Sequence, residues 1–193
     1  GKICDITVKT ETGCQCLVCV ENSNGAEVSG CILESATNIL CKGTFWCDTN
    51  NKNFVMRNTT SICRTTGVGG IWVRERFADV VSDGITIDGC TIIHQGLDEA
   101  IGIWGWNGTV LNVVVRNTTI DQQNHEDSTA NTNNLLLTCG MDANCKNVLF
   151  DNCTINSIYT CQTIIKESPR ENASGIIGIN DNIVFRNCTI NAK

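Results

Sequence analysis

One decapeptide pattern recurs along most of the chain and limits what it can fold into. Leu111-Asn-Val-Val-Val-Arg-Asn-Thr-Thr-Ile120 is its clearest copy. Related copies are Gly25-Ala-Glu-Val-Ser-Gly-Cys-Ile-Leu-Glu34, Lys52-Asn-Phe-Val-Met-Arg-Asn-Thr-Thr-Ser61 and Asp83-Gly-Ile-Thr-Ile-Asp-Gly-Cys-Thr-Ile92. Two more follow, Lys146-Asn-Val-Leu-Phe-Asp-Asn-Cys-Thr-Ile155 and Asp181-Asn-Ile-Val-Phe-Arg-Asn-Cys-Thr-Ile190. Cys4-Asp-Ile-Thr-Val-Lys9 has the look of a seventh. Aligned on one position, the copies place Gly30, Asn58, Gly89, Asn117, Asn152 and Asn187 at steps of 28, 31, 28, 35 and 35 residues. Repeats of that length are stacked supersecondary units, each burying its apolar face only against its neighbours.

Within a copy the apolar positions alternate, as at Val113 and Val115, and β-branched residues dominate them. That argues strand. The aligned break is always Asn or Gly, the residues that tolerate a left-handed backbone. One such residue turns a sharp corner without a loop. The residue after it is small: Cys31, Thr59, Cys90, Thr118, Cys153 or Cys188. A further apolar strand follows each copy, expected at 39–42, 71–74, 101–104, 135–138 and 163–166. Strand, corner, strand, loop, strand describes an all-β fold, a right-handed parallel β-helix of about seven coils with an Asn/Gly ladder at one corner. A β-sandwich is the competing reading, but it gives no reason for the invariant corner.

The 193 residues suit a single domain, 1–193. Both ends break off inside the repeat, which suggests a segment of a longer chain. The net charge of −6 argues against nucleic acid as a partner. No apolar run is long enough for membrane insertion. Of the 14 cysteines, those in the corner slot would be spaced by the strand separation, wider than a disulfide accepts. They read as buried free thiols, consistent with assembly in a reducing cytosol. A bridge among Cys14, Cys16 and Cys19, or between Cys41 and Cys47, stays open. Cys16-Leu-Val-Cys19 has metal-like spacing without a second pair, so no metal and no cofactor is expected. Asn-X-Ser/Thr sequons fall on Asn58, Asn117, Asn152 and Asn187. Their coincidence with the corner favours a stacked amide ladder that leaves no room for glycans.

Function has to come from loops and outward side chains. The loops at 93–100 and 121–134 hold both histidines and several acids. His94, His125 and the carboxylates Asp98, Glu99, Glu126 and Asp127 are the candidates there. On the neighbouring strands Trp72, Arg74 and Trp104 are expected to point outward, with Lys42, Thr138 and Lys166 in the row of Arg74. Aromatic faces stack on sugar rings, and paired carboxylates cleave glycosidic bonds. The bland reading makes Arg74-Glu-Arg76 a salt-bridged face and the acids ordinary turn residues.

Gly69-Gly-Ile-Trp-Val-Arg74, Asp98-Glu-Ala-Ile-Gly-Ile-Trp104 and Asn147-Val-Leu-Phe-Asp-Asn-Cys-Thr-Ile155 resemble the pectate-lyase-like β-helix superfamily, most closely the spikes and appendages of bacteriophage tails. The resemblance implies a homotrimer with flanking segments of the same protein, located in the virion tail or outside the cell. It implies recognition, and sometimes cleavage, of bacterial surface polysaccharide. The pair Asp98 and Glu99 stands where β-helix glycosidases carry acids, with Glu126 or Asp127 as partner carboxylate. Trp72, Arg74, His94, Trp104 and His125 would bind substrate. The alternative is a non-enzymatic shaft or adhesin module of a trimeric fibre.

Overall fold

The computed structural model describes residues 1–11, 13–35, 42–64, 69–95, 99–123, 137–142, 144–157, 163–168 and 178–192. Among them the regular structure is entirely strand, arranged as three parallel sheets. The first sheet stacks Lys2–Cys4, Glu27–Ser29, Val55–Arg57, Val81–Asp88, Thr109–Arg116, Cys145–Asp151 and Asp181–Arg186. The second stacks Thr7–Thr10, Ile32–Ser35, Thr60–Cys63, Thr91–His94, Thr119–Gln122, Thr154–Ser157 and Thr189–Ala192. The third runs through Val18–Val20, Phe45–Asp48, Ile71–Arg74, Ile101–Trp104, Leu137–Asp142 and Thr163–Ser168. Each strand pairs with its equivalent one repeat away, so the fold is a parallel β-helix.

The corner is as expected. Gly30, Asn58, Gly89, Asn117, Asn152 and Asn187 all have φ between 47 and 64°, and Asp5, with φ 55°, supplies the seventh. A second left-handed series lies five residues earlier: Gly25, Asn53, Gly84, Asn112, Asn147 and Asn182. Gly84, Asn112, Asn147 and Asn182 each kink a strand of the first sheet, and Gly25 and Asn53 stand two residues before one. Sequence alternation was legible on both sides of this kink, but the kink itself was not anticipated. One rule serves both series: the residue after the left-handed position turns inward, as with Phe54, Ile85 and Val113 after one and Cys31, Cys90 and Thr118 after the other.

The corner slot has a chemical reason for being Cys or Thr. Thr59 and Thr118 donate their hydroxyls to the carbonyls of Arg57 and Arg116, at 3.0 and 2.8 Å. Cys31, Cys90 and Cys153 turn their thiols to the same carbonyl two residues back, at 3.2, 3.5 and 3.5 Å. The small donor adds a second bond to a carbonyl that already accepts the corner amide of the neighbouring coil. Among the described residues, eleven cysteines, including Cys14, Cys16, Cys19 and Cys47, form no disulfide. The bridges left open among 14, 16 and 19, and at Cys47, are therefore not formed.

The ladder amides correct one expectation. Asn58, Asn117, Asn152 and Asn187 are exposed rather than crowded. What occupies the last three is hydrogen bonding along the stack: Nδ2 of Asn117 to Asp88, of Asn152 to Asn117, and of Asn187 to Asp151. Beside them runs a row of alternating charge, with Arg57, Asp88, Arg116, Asp151 and Arg186 in register.

The third sheet corrects the strand expected at 39–42. Phe45–Asp48 takes that place, turning Phe45 and Cys47 inward. The later strands match or shift slightly: Ile71–Arg74, Ile101–Trp104, Leu137–Asp142 and Thr163–Ser168. The row of Arg74 is consequently Asp48, Arg74, Trp104, Asp142 and Ser168, and not the row of cations expected from Lys42 and Lys166.

Candidate functional site

The outer face of the third sheet carries a tryptophan stack. Trp46 and Trp72 are in register on adjacent strands, and their rings lie 5.5 Å apart at an interplanar angle of 4°. Trp104 belongs to the next row but leans across Gly102 to lie 4.5 Å from Trp72. Glycines make this possible. A Cβ on Gly69 would stand 2.0 Å from Nε1 of Trp72, and one on Gly43 would stand 2.6 Å from Nε1 of Trp46. The indoles lie flat where a side chain is missing. Trp72 is 4% exposed and Trp46 8%, so the stack is covered, while Trp104 is half-buried.

Arg74 caps the stack, its guanidinium 4.0 Å from the Trp46 ring centroid and 5.1 Å from that of Trp72. It is buried and donates to Oδ2 of Asp48 at 2.9 Å. Arg76 donates to Oδ1 of Asp48 at 2.9 Å and to Glu21 at 3.3 Å. Asp48 is thus held by both cations. The bland reading of Arg74 and Arg76 as a salt-bridged face describes these contacts, whereas Glu75 behaves differently. Fully buried, it accepts from the hydroxyl of Thr49, the amides of Asn50 and Phe77, and the hydroxyl of Ser82. This carboxylate braces the turn from the third sheet back to the first.

That turn presents the aromatic surface which sequence reasoning missed. Phe77 is 55% exposed and Trp106, on the equivalent turn one coil later, is 41% exposed. Asn107 ties the two turns together: its amide donates to Glu75 O at 3.3 Å and its Nδ2 to Arg76 O at 2.8 Å. The Arg76 guanidinium lies 5.7 Å from the Phe77 ring. A usable signal was present in Gly105-Trp-Asn-Gly108. An aromatic among turn-forming residues lies outside the alternation that leads into a core.

His94 and Glu99 are also placed differently from expectation. His94 ends the strand Thr91–His94 and faces the interior at 0% exposure, in register between Cys63 and Gln122. Alternation from Cys90 through Ile92 carries it inward. Glu99 is 6% exposed, and its carbonyl accepts from Gly70 at 2.9 Å. Gly70 fits between the two: a Cβ there would meet Ala100 O at 2.4 Å and His94 Nδ1 at 3.4 Å. Asp98, His125, Glu126 and Asp127 lie outside the described residues.

The fold and this surface define a parallel β-helix with a covered tryptophan stack beside an exposed aromatic turn. Compared with known proteins, the chain matches no protein family, no curated protein and no solved structure.

Proposed function

We propose that this β-helix recognises glycans as part of a bacteriophage tail spike or a related surface protein, with bacterial surface polysaccharide as its partner. The observation that carries this reading is the exposed pair Phe77 and Trp106 on consecutive coils beside Arg76. Aromatic faces supply stacking area to sugar rings, and guanidinium and amide groups supply hydrogen bonds to hydroxyls and carboxylates. The buried Glu75 brace and Asn107 hold the turns in place, which lowers the ordering cost of binding. Trp72 and Arg74 act from beneath this surface, and half-buried Trp104 extends it. Cleavage is the extension of the same reading, with Glu99 or Asp98 as acid and Glu126 or Asp127 as partner carboxylate.

A glycan array and a depolymerisation screen test the proposal. Wild-type protein should bind at least one bacterial surface polysaccharide, and Trp106→Ala and Phe77→Ala should each weaken binding by about tenfold with little change in melting temperature. Absence of glycan binding, combined with a solution mass of three chains, would replace this reading with that of a non-enzymatic shaft. Retained depolymerisation in Glu99→Gln would remove the acid.

A further inference from the structure

A separate cluster lies at the start of the third sheet, independent of the glycan reading. Cys19, Glu21 and Asp48 bring one ligand atom each to within 4.8 Å of one another. Sγ of Cys19 is 3.6 Å from Oε1 of Glu21. Cys16, at CxxC spacing, hydrogen-bonds with Cys19. One thiol and two carboxylates thus converge from the first and second coils, and Cys16 stands beside that thiol. We propose that Cys16, Cys19, Glu21 and Asp48 form a binding site for a zinc-class divalent cation.

The chemistry fits a borderline-soft d¹⁰ ion, which takes sulfur at about 2.3 Å and carboxylate oxygen at about 2.0–2.2 Å in a tetrahedral set. Harder cations such as magnesium and calcium are selected against by the two sulfurs. The charge also works. Four anionic ligands face Arg74 and Arg76, so one divalent ion brings the cluster to neutrality. Each Asp48 oxygen accepts one guanidinium N–H and keeps a second lone pair for the metal. The arginines then orient the ligating carboxylate, the usual work of groups behind a metal ligand. On binding, the ion replaces the thiol protons, which pass to solvent, so affinity falls as pH falls.

The test is cobalt titration of the reduced, chelator-treated protein. One equivalent should bind with sulfur-to-cobalt charge transfer and the visible bands of tetrahedral cobalt, and zinc should displace it. Cys19→Ser and Cys16→Ser should each weaken binding by more than about a hundredfold, exceeding the usual loss for a group behind the ligands. Glu21→Gln, at an exposed residue, should weaken it without removing the charge-transfer band. Cys4→Ser, at an exposed thiol elsewhere, should change nothing, and circular dichroism checks that each variant is folded. Absence of saturable one-to-one binding would overturn the proposal. So would a charge-transfer band undiminished in both Cys16→Ser and Cys19→Ser, since the metal would then sit on other thiols.

Discussion

Asn152 donates its side-chain Nδ2 to Oδ1 of Asn117, one coil away, at 2.9 Å, and both residues hold a left-handed backbone with φ 52°. The same residue type therefore makes the bend and links neighbouring bends. Because both side chains are exposed, the backbone requirement outweighs the hydrogen bond. Leucine at position 152 should cost about 1–2 kcal/mol through the left-handed conformation, and glycine distinctly less. Urea unfolding of Asn152→Leu and Asn152→Gly checks the order. Equal losses in the two would mean that the amide link, and not the backbone, sets the cost.

Gly89 provides the reciprocal case. Its φ is 62°, and an added Cβ would lie 2.8 Å from Oδ1 of Asn58. Gly89→Ala should therefore destabilise by at least about 1–2 kcal/mol, and Asn58→Gly should recover part of that loss. A double-mutant cycle measured by denaturant melts reads the coupling.

The tryptophan stack makes a stability prediction of a different size. Trp72 is covered and touches Trp46, Trp104 and the Arg74 guanidinium. Trp72→Ala should cost about 3–5 kcal/mol, as for other buried large-to-small changes. Gly69→Ala should also be destabilising, because its Cβ would stand 2.0 Å from Nε1 of Trp72. Thermal melts followed by indole fluorescence report both. A neutral Gly69→Ala would show that the indole has room to move.

Thiol reactivity should divide by position. Burial pushes the Cys90 and Cys153 thiols up to about 11, which leaves little thiolate at neutral pH. Cys4 and Cys19 are exposed. In native alkylation at pH 7.5, read by peptide mass spectrometry, Cys4 should label first, ahead of Cys19, whose thiol is pushed up by the hydrogen bond with Cys16 and by burial. Cys31, Cys47, Cys63, Cys90, Cys145 and Cys153 should label only on unfolding. Early labelling of Cys90 would contradict its inward placement.

The outer charge row fixes the sign of the acid response. Arg116 beside Asp88, and Arg186 beside Asp151, hold these carboxyls below the ordinary range, and Lys2 and then Arg57 do the same for Glu27. Folded pKa values below the unfolded ones mean stability is fully present above the unfolded value, about 4. It is lost as pH falls through the folded values. Urea midpoints should fall between pH 5 and pH 2, and the fall should be shallower in Asp151→Asn. Exposure and salt screening keep each pair's share small.

Much of the fold was readable because the repeat states the same constraint several times over. Left-handed corners admit few residue types, so Asn117 and its equivalents disclosed themselves. The series at Gly25, Asn53, Gly84, Asn112, Asn147 and Asn182 was as regular, yet it sits inside strands or just before them, where alternation masks the bend. The strand Phe45–Asp48 was missed because the apolar residues Ile39, Leu40 and Cys41 offered an equally good pattern nearby. Periodicity cannot choose between two short apolar runs.

The surface was harder to read. Outward direction was correctly inferred for Trp72 and Arg74, but outward did not mean exposed. Their burial depends on Trp46 and on Asp48, which the sequence places 24 or more residues earlier. His94 was assigned to a loop although its alternation with Ile92 already pointed it inward. Phe77 and Trp106 drew no attention because nothing local joins them. They share a surface only through Asn107 and the stacking of coils.

The sequence by itself determined the parallel coil, its corner and the inward residues that flank that corner, since these rest on backbone sterics and on polarity at short range. Tertiary structure alone decided which outward side chains are covered, which cations meet which acids, and where an aromatic face reaches solvent. Those outcomes depend on coil-to-coil register, in which residues about 30 positions apart become neighbours and a shift of a few positions replaces one neighbour with another.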